Sequence, residues 1–260
     1  MSEPVVVTEI RNRSMWIRLN RPDAMNSLSP EVLQSITDSL DEAQRRDDVV
    51  SVVLTGTGRA FCAGADLKYV HSHLDEAGTR EFLLQVLNTM NRIDSFPKPV
   101  IAALNGITLA GGLELVLCCD LVIAARSAKI GDAHANYGLL PGGGGSVRLP
   151  RVIGANRAKY LLFTGEFVEA EAMQQAGLVH EVVDDDKLEA ATQALSDKLA
   201  TKSPIGLRRM KALVDDGMEQ PEAVAMRFEQ LVSEAHAHSA DMKEGLAAFQ
   251  EKRTPRFTGY

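Results

Sequence analysis

Residues 101–145 read IAALNGITLAGGLELVLCCDLVIAARSAKIGDAHANYGLLPGGGG. Inside that stretch, positions 113–119 are apolar apart from one residue, Glu114. A helix that is apolar all round is buried. A carboxylate within it must be paired, protonated or used, because an isolated buried charge is very costly. Gly111 and Gly112 open the segment and leave backbone N–H groups unshielded at its start. Such groups suit an anion, or an oxygen about to become one. A fold that accepts this stretch has to set a buried acid beside exposed amides, behind the apolar strand 100–104 and its Asn105-Gly106 turn. That constellation fits thioester or carbonyl chemistry.

The bulk composition narrows the class. The 260 residues are enough for one α/β core with a helical appendage. With 45% hydrophobic and 24% charged residues, the chain reads as an ordinary globular protein. A net charge of -7 argues against non-specific nucleic-acid binding, which leans on Lys and Arg. Three cysteines, Cys62, Cys118 and Cys119, make no disulfide framework and point to a reducing compartment. No basic region followed by an apolar run opens the sequence, and no apolar run reaches the roughly eighteen residues of a membrane span. The expected location is cytoplasmic, with no membrane partner.

Along the chain, residues 5–9 and 15–20 read as a hairpin. Ser29 is a credible N-cap with Pro30 in the first turn, and Val32, Leu33, Ile36, Leu40 and Ala43 follow helical spacing. The β-branched run 49–55 predicts a buried strand. A glycine-rich segment follows at 56–68. A helix is predicted over 79–95, with Phe82, Val86, Met90 and Ile93 on one face and Pro97 and Pro99 as its stop. Short strands are predicted at 121–125, 129–131 and 178–183. Residues 148–163 and 169–176 read as helical, with Gly154, Gly165 and Gly177 as stops. From residue 186 only helical patterns remain, punctuated by Gly206, Gly217, Pro221 and Gly245. The boundary is set there: a core over 1–185 and a helical region over 186–260.

Six pieces of sequence then fall into one order. They are Asn20-Arg21-Pro22 with Asn26, the run AFCAGADL from Ala60, the run PKPVIAALNG from Pro97, AGGLEL from Ala110, GLLPG from Gly138, and Glu251-Lys252-Arg253. On these pieces the sequence resembles the crotonase (enoyl-CoA hydratase/isomerase) superfamily over nearly its whole length. The resemblance implies an α/β spiral of ββα units followed by C-terminal helices that build homotrimers or hexamers. It implies an acyl-coenzyme A substrate, with coenzyme A entering as part of the substrate and neither cofactor nor metal required. The thioester oxygen would lie between the amides of Ala65 and Gly111, with Glu114 as acid/base. Ala24, Ala63, Gly64, Asp66 and Leu67 would line the coenzyme A path. Phe249 and Lys252 look like positions that reach a neighbouring subunit's nucleotide.

One position departs from the pattern. Hydratases of this superfamily carry a second glutamate before the Gly-Leu-Leu-Pro loop, and His134 occupies that place here. Histidine titrates near neutral pH and works as acid or base. A Glu/His pair therefore leaves hydration, double-bond migration and carbon–carbon cleavage open, the last as hydrolysis, lyase or decarboxylase chemistry; a non-catalytic acyl-CoA binder is the remaining reading. Superfamily members with histidine in this region that cleave β-diketones also use an aspartate in the proline-glycine loop, where this chain has Gly142 and Gly143. Asp132, two residues before His134, would share a strand face with it and orient the imidazole.

Other polar residues have plainer readings. His71 and His73 lack the spacing of a zinc set despite Asp66, Asp75 and Glu76 nearby. The 142–145 glycine run lacks the Lys-Ser/Thr of a nucleotide loop. Cys118 and Cys119 read as apolar filler. Arg208, Arg209 and Lys211 read as a solvated helix face, and His236 and His238 as surface. The stretch 71–79 is expected to form part of the pocket wall.

Overall fold

The computed structural model describes residues 3–73 and 75–260. Strands β1 (Val6–Arg11) and β2 (Ser14–Leu19) form the expected antiparallel hairpin. Helix α1 (Pro30–Arg45) follows, and Ser29 caps it by accepting from the Val32 amide. Three long strands come next in the chain, each followed, after two or three intervening residues, by a strand of three residues. They are β3 (Ser51–Gly56) with β4 (Ala60–Cys62), β5 (Val100–Leu104) with β6 (Ile107–Leu109), and β7 (Leu121–Ala125) with β8 (Lys129–Gly131). After β4 come α2 (Leu67–Ser72) and α3 (Glu76–Asp94), after β6 comes α4 (Gly111–Val116), and after β8 come α5 (Gly145–Ile153) and α6 (Ala155–Thr164). These are three successive ββα turns of a spiral.

The long strands lie in a six-stranded sheet of order β1-β2-β3-β5-β7-β10, closed by β10 (Glu181–Val183). The short ones lie in a second sheet of order β4-β6-β8-β9, where β9 (Phe167–Glu169) is antiparallel to β8. Beyond β9 is α7 (Ala170–Ala176). The rest is helical: α8 (Leu188–Ala200), α9 (Pro204–Met218), α10 (Glu222–Ala237) and α11 (Ala240–Glu251).

Burial explains why the core strands read as unbroken apolar runs. Val52, Leu54, Val100, Ala102, Val122 and Ala124 face the large core beneath α1 and α3. Val53, Ile101, Ala103, Ile123 and Ala125 face the other way, against Trp16 and Leu188. A parallel strand covered on both faces has no polar side to show. Trp16 pins α8 to this second face, its indole N–H donating to Gln193 at 2.9 Å.

Several expectations are corrected. Gly206 and Gly217 lie inside α9 and Gly245 inside α11; the helices instead start at the serine caps Ser203 and Ser239 or directly after Pro221. Serine oxygens satisfy first-turn amides and so set the boundary. Strand β10 takes only the last three residues of the run 178–183. Lys211 is not solvated: it pairs with Asp120 at 2.9 Å and ties α9 to the end of the α4 segment. His236 is half-buried against Arg209, at 2.9 Å. Among the described residues, no helix is long and apolar enough to cross a membrane.

Candidate active site

Two glycine-bearing turns meet at the edge of the second sheet. Gly64 has φ of +103°, and a Cβ there would stand 2.9 Å from the Ala110 methyl. A Cβ on Gly111 would lie 3.4 Å from the Gly64 Cα and 3.5 Å from the Ala65 nitrogen. Gly64 leaves no room for a side chain against Ala110, and at Gly111 one would press on Leu28 Cδ1 at 3.1 Å. The neighbouring bonds are already taken: Leu28 donates to Gly64 and accepts from Asp66, while the Ala110 amide donates to Gly131. Among the described residues, the amides of Ala65 and Gly111 have no acceptor. Ala110 joins the two turns at φ 49°, ψ -118°, a conformation costing an alanine about 1–3 kcal/mol.

Glu114 lies one turn along α4 and is 3% exposed. Its Oε1 accepts from the amides of Gly143 and Gly145, both at 2.8 Å. Gly143 has no room for a side chain, since a Cβ would sit 2.9 Å from Glu114 Oε2 and 3.1 Å from Met90. Burial pushes the carboxyl above the usual glutamate range, against the two amides and the His134 charge, which hold it down. Oε2 accepts no hydrogen bond among the described residues.

His134 opens a short 3-10 turn (His134–Tyr137) rather than lying on a strand. Strand β8 ends at Gly131, and Ala133 takes a left-handed conformation with φ 63°. The alternation argument for Asp132 therefore fails, yet the contact forms, because the left-handed residue folds the chain back. Asp132 Oδ1 accepts from His134 Nδ1 at 3.0 Å and from the His134 amide at 3.3 Å. This bond puts a proton on Nδ1 and leaves Nε2 for a substrate or water. Burial works to lower the imidazole pKa, but Asp132 and Glu114 outweigh it and the net shift is upward. Asp132 is 1% exposed, and its Oδ2 has no partner among the described residues.

A cavity of about 760 Å³ opens beside Ala65, Ala110 and His134, while Glu114 and Gly111 lie behind these residues and are not part of its lining. Ala24, Ala63, Ala65, Asp66, Leu67 and His134 all line it, so the structure gathers most of the residues singled out from sequence. Gly64 contributes backbone beside it. Asp66 is also committed locally: it caps α2 and pairs with Arg21 at 2.8 Å. Phe249 and Lys252 stand apart, exposed at the end of α11. Tyr137, Leu139 and Phe167 also line the cavity, and sequence reading missed them because no local pattern marks a pocket mouth. The stretch 71–79 includes residue 74, which lies outside the described residues; in its first part, His73 stacks on Tyr69 at 4.1 Å. Burial pushes the Cys62 and Cys118 thiols up to about 12, so neither is a nucleophile.

The profile of the enoyl-CoA hydratase/isomerase family matches residues 9–260. The chain belongs to that family. It is 41% identical over 249 residues to the human mitochondrial enoyl-CoA hydratase domain-containing protein 2, covering 94% of this chain and 85% of the relative. It is 36% identical over 259 residues to the 1,2-epoxyphenylacetyl-CoA isomerase of Escherichia coli (strain K12), covering 98% of each. Among solved structures, an enoyl-CoA hydratase from Bacillus anthracis matches with a TM-score of 0.95 at 38% identity, over 98% of this chain and all of that one. The crotonase fold and an enzyme of the enoyl-CoA hydratase/isomerase family, both implied by the sequence resemblance, are thereby established.

Proposed function

We propose that this enzyme acts on 2-enoyl-coenzyme A thioesters and adds water across their double bond. One observation carries the reading: two amides without acceptors, Ala65 and Gly111, beside a glutamate whose carboxylate is fixed by backbone donors. A thioester oxygen between the amides would gain negative charge as the reaction proceeds. Rigid N–H donors stabilise such charge without reorganising, and losing one typically costs about a hundred- to a thousandfold in rate.

The hydrogen bonds held by the two side chains support a division of labour. Ionised Glu114 takes a proton from water through Oε2 as the water oxygen bonds to C3. The thioester-stabilised enolate collects a proton at C2 from His134 Nε2, giving a 3-hydroxyacyl thioester. His134 is suited to hold that proton because Asp132 favours the imidazolium. Self-association through the C-terminal helices belongs to the same proposal, supported by exposed Met210, Val214, Met218, Phe228, Leu231 and Leu246 on α9–α11. Phe249 and Lys252 would then serve a neighbour's coenzyme A.

The test is mass spectrometry of crotonyl-CoA and of a 3-enoyl-CoA incubated in heavy water with the enzyme and with Glu114→Gln. Addition of one heavy-water unit to crotonyl-CoA, lost in the variant, supports hydration. Deuterium entering the 3-enoyl-CoA skeleton without added water would replace hydration by isomerisation. A Glu114→Gln enzyme at undiminished rate would remove Glu114 from the chemistry.

A further inference from the structure

Arg148 lies in α5, three residues past Gly145. Its Nη1 donates to the Gly143 carbonyl at 3.0 Å, and its Nη2 donates to Asn91 Oδ1 and Asp94 Oδ2 of α3, each at 3.0 Å. The guanidinium occupies space that a side chain at Gly144 would need, 2.2 Å from where its Cβ would stand. The pinned carbonyl belongs to the peptide joining Gly143 and Gly144. The peptides on either side of it carry the Gly143 and Gly145 amides, the two donors to Glu114 Oε1. One planar side chain thus fixes the central peptide of three, and the outer two point at the carboxylate.

We propose that Arg148 is a positioning residue for Glu114, tying the Gly143–Gly144 peptide to α3 so that the flanking amides stay aimed at the carboxylate. The inference rests on the reading of Glu114 as the acid/base. Arg148 keeps a permanent charge, which the Glu114 carboxylate helps to hold. The other ionisable groups around Glu114 are Asp132 and His134 in front, Asp94 behind Arg148, and the thiol of Cys118, four residues on and just past the end of α4. A simple staple between α5 and α3 would alter stability alone. A positioning residue alters the titration of Glu114 as well.

The Glu114 carboxyl carbon, assigned by its loss in Glu114→Gln, is titrated by carbon-13 NMR in the wild type, Arg148→Met and Arg148→Lys. Crotonyl-CoA kinetics are recorded over the same pH range. In Arg148→Met the Glu114 midpoint rises, because burial is then less opposed. Its kcat falls roughly ten- to a hundredfold with KM little changed, the size of effect that a small misplacement produces. Arg148→Lys keeps the charge but lacks the two-sided planar fork, so midpoint and kcat both stay displaced toward the Arg148→Met values, and a fully restored midpoint would show that charge alone was at work. Should Arg148→Met fail to fold, Asp94→Asn serves. Loss of the Asp94 charge alone would lower the Glu114 midpoint, whereas loosening of the loop raises it. A wild-type midpoint in Arg148→Met, or an unchanged or lowered one in Asp94→Asn, overturns the proposal. Full activity in Glu114→Gln instead overturns the reading beneath it, and the NMR titration still reports whether Arg148 controls the carboxylate.

Discussion

Around Glu114, the donors that fix the carboxylate are main-chain amides, from Gly143 and Gly145. Around His134, the fixing group is another side chain, Asp132, and the imidazole keeps partial access to the cavity. The first arrangement needs residues without side chains and a loop anchored from outside. The second needs one well-placed carboxylate and a left-handed turn. A backbone clamp yields only when the loop is distorted, while a side-chain clamp can be undone by an isosteric exchange. The two halves should therefore fail differently.

The largest effect is expected where the backbone clamp is crowded. Gly143→Ala drives a methyl against Glu114 and Met90. We expect kcat to fall by about a hundredfold and stability to fall by roughly 1–3 kcal/mol, read by steady-state kinetics and chemical denaturation together. A variant as active as the wild type would mean that the loop gives way and the clamp is not rigid.

Asp132→Asn keeps shape and removes charge, so it addresses the other half. Activity should drop roughly tenfold or more, within the range of a general acid that loses its support. Without Asp132 the His134 pKa falls, and the alkaline limb of the pH–rate profile moves to lower pH. Stability carries the same signature. The folded-state pKa of His134 lies above its ordinary 6.5. Its contacts therefore stabilise the fold fully below that pH and cease to do so as pH rises through the folded-state value. The stability gap between wild type and variant should be widest in acid and close in mild alkali. A gap independent of pH would show that Asp132 does not govern the imidazole.

The smallest effect should come from Ala110→Gly. Glycine tolerates the φ 49° conformation that alanine resists. Relief of strain offset by lost chain entropy leaves a gain of roughly 1 kcal/mol, or about 2–4 °C in Tm. The methyl that rests on Gly64 is lost at the same time, and kcat should decline several-fold. A variant both less stable and equally active would show that Ala110 stores no strain for the site.

Legibility followed element length and covering. Strands β3, β5 and β7 were plain in the sequence because burial on both faces makes them continuous apolar runs. Helix α1 was plain because Ser29 and Pro30 announce it. Of the second sheet, only the β8 run at 129–131 reads as strand from sequence. Its members are three residues each, too short for alternation to register, and they are held by the turns between sheets. The site itself was partly visible: a charged residue in an apolar helix next to two glycines is a conflict that only chemistry or pairing resolves. Nothing local reveals Arg148 as the anchor of the glycine run, because its partners on α3 sit more than fifty positions away in the chain. The Asp132–His134 contact was anticipated for the wrong reason, since period-two geometry ended at Gly131.

The amides of Ala65 and Gly111, which have no acceptor among the described residues, have a consequence beyond the proposed rate effect. An N–H without an acceptor trades its hydrogen with solvent as soon as water reaches it, and an oxygen lodged against it slows that trade. The two amides are thus built-in occupancy gauges. Their exchange rates and chemical shifts would rank ligands by how well each seats an oxygen, including ligands that are never converted, without any label on the ligand.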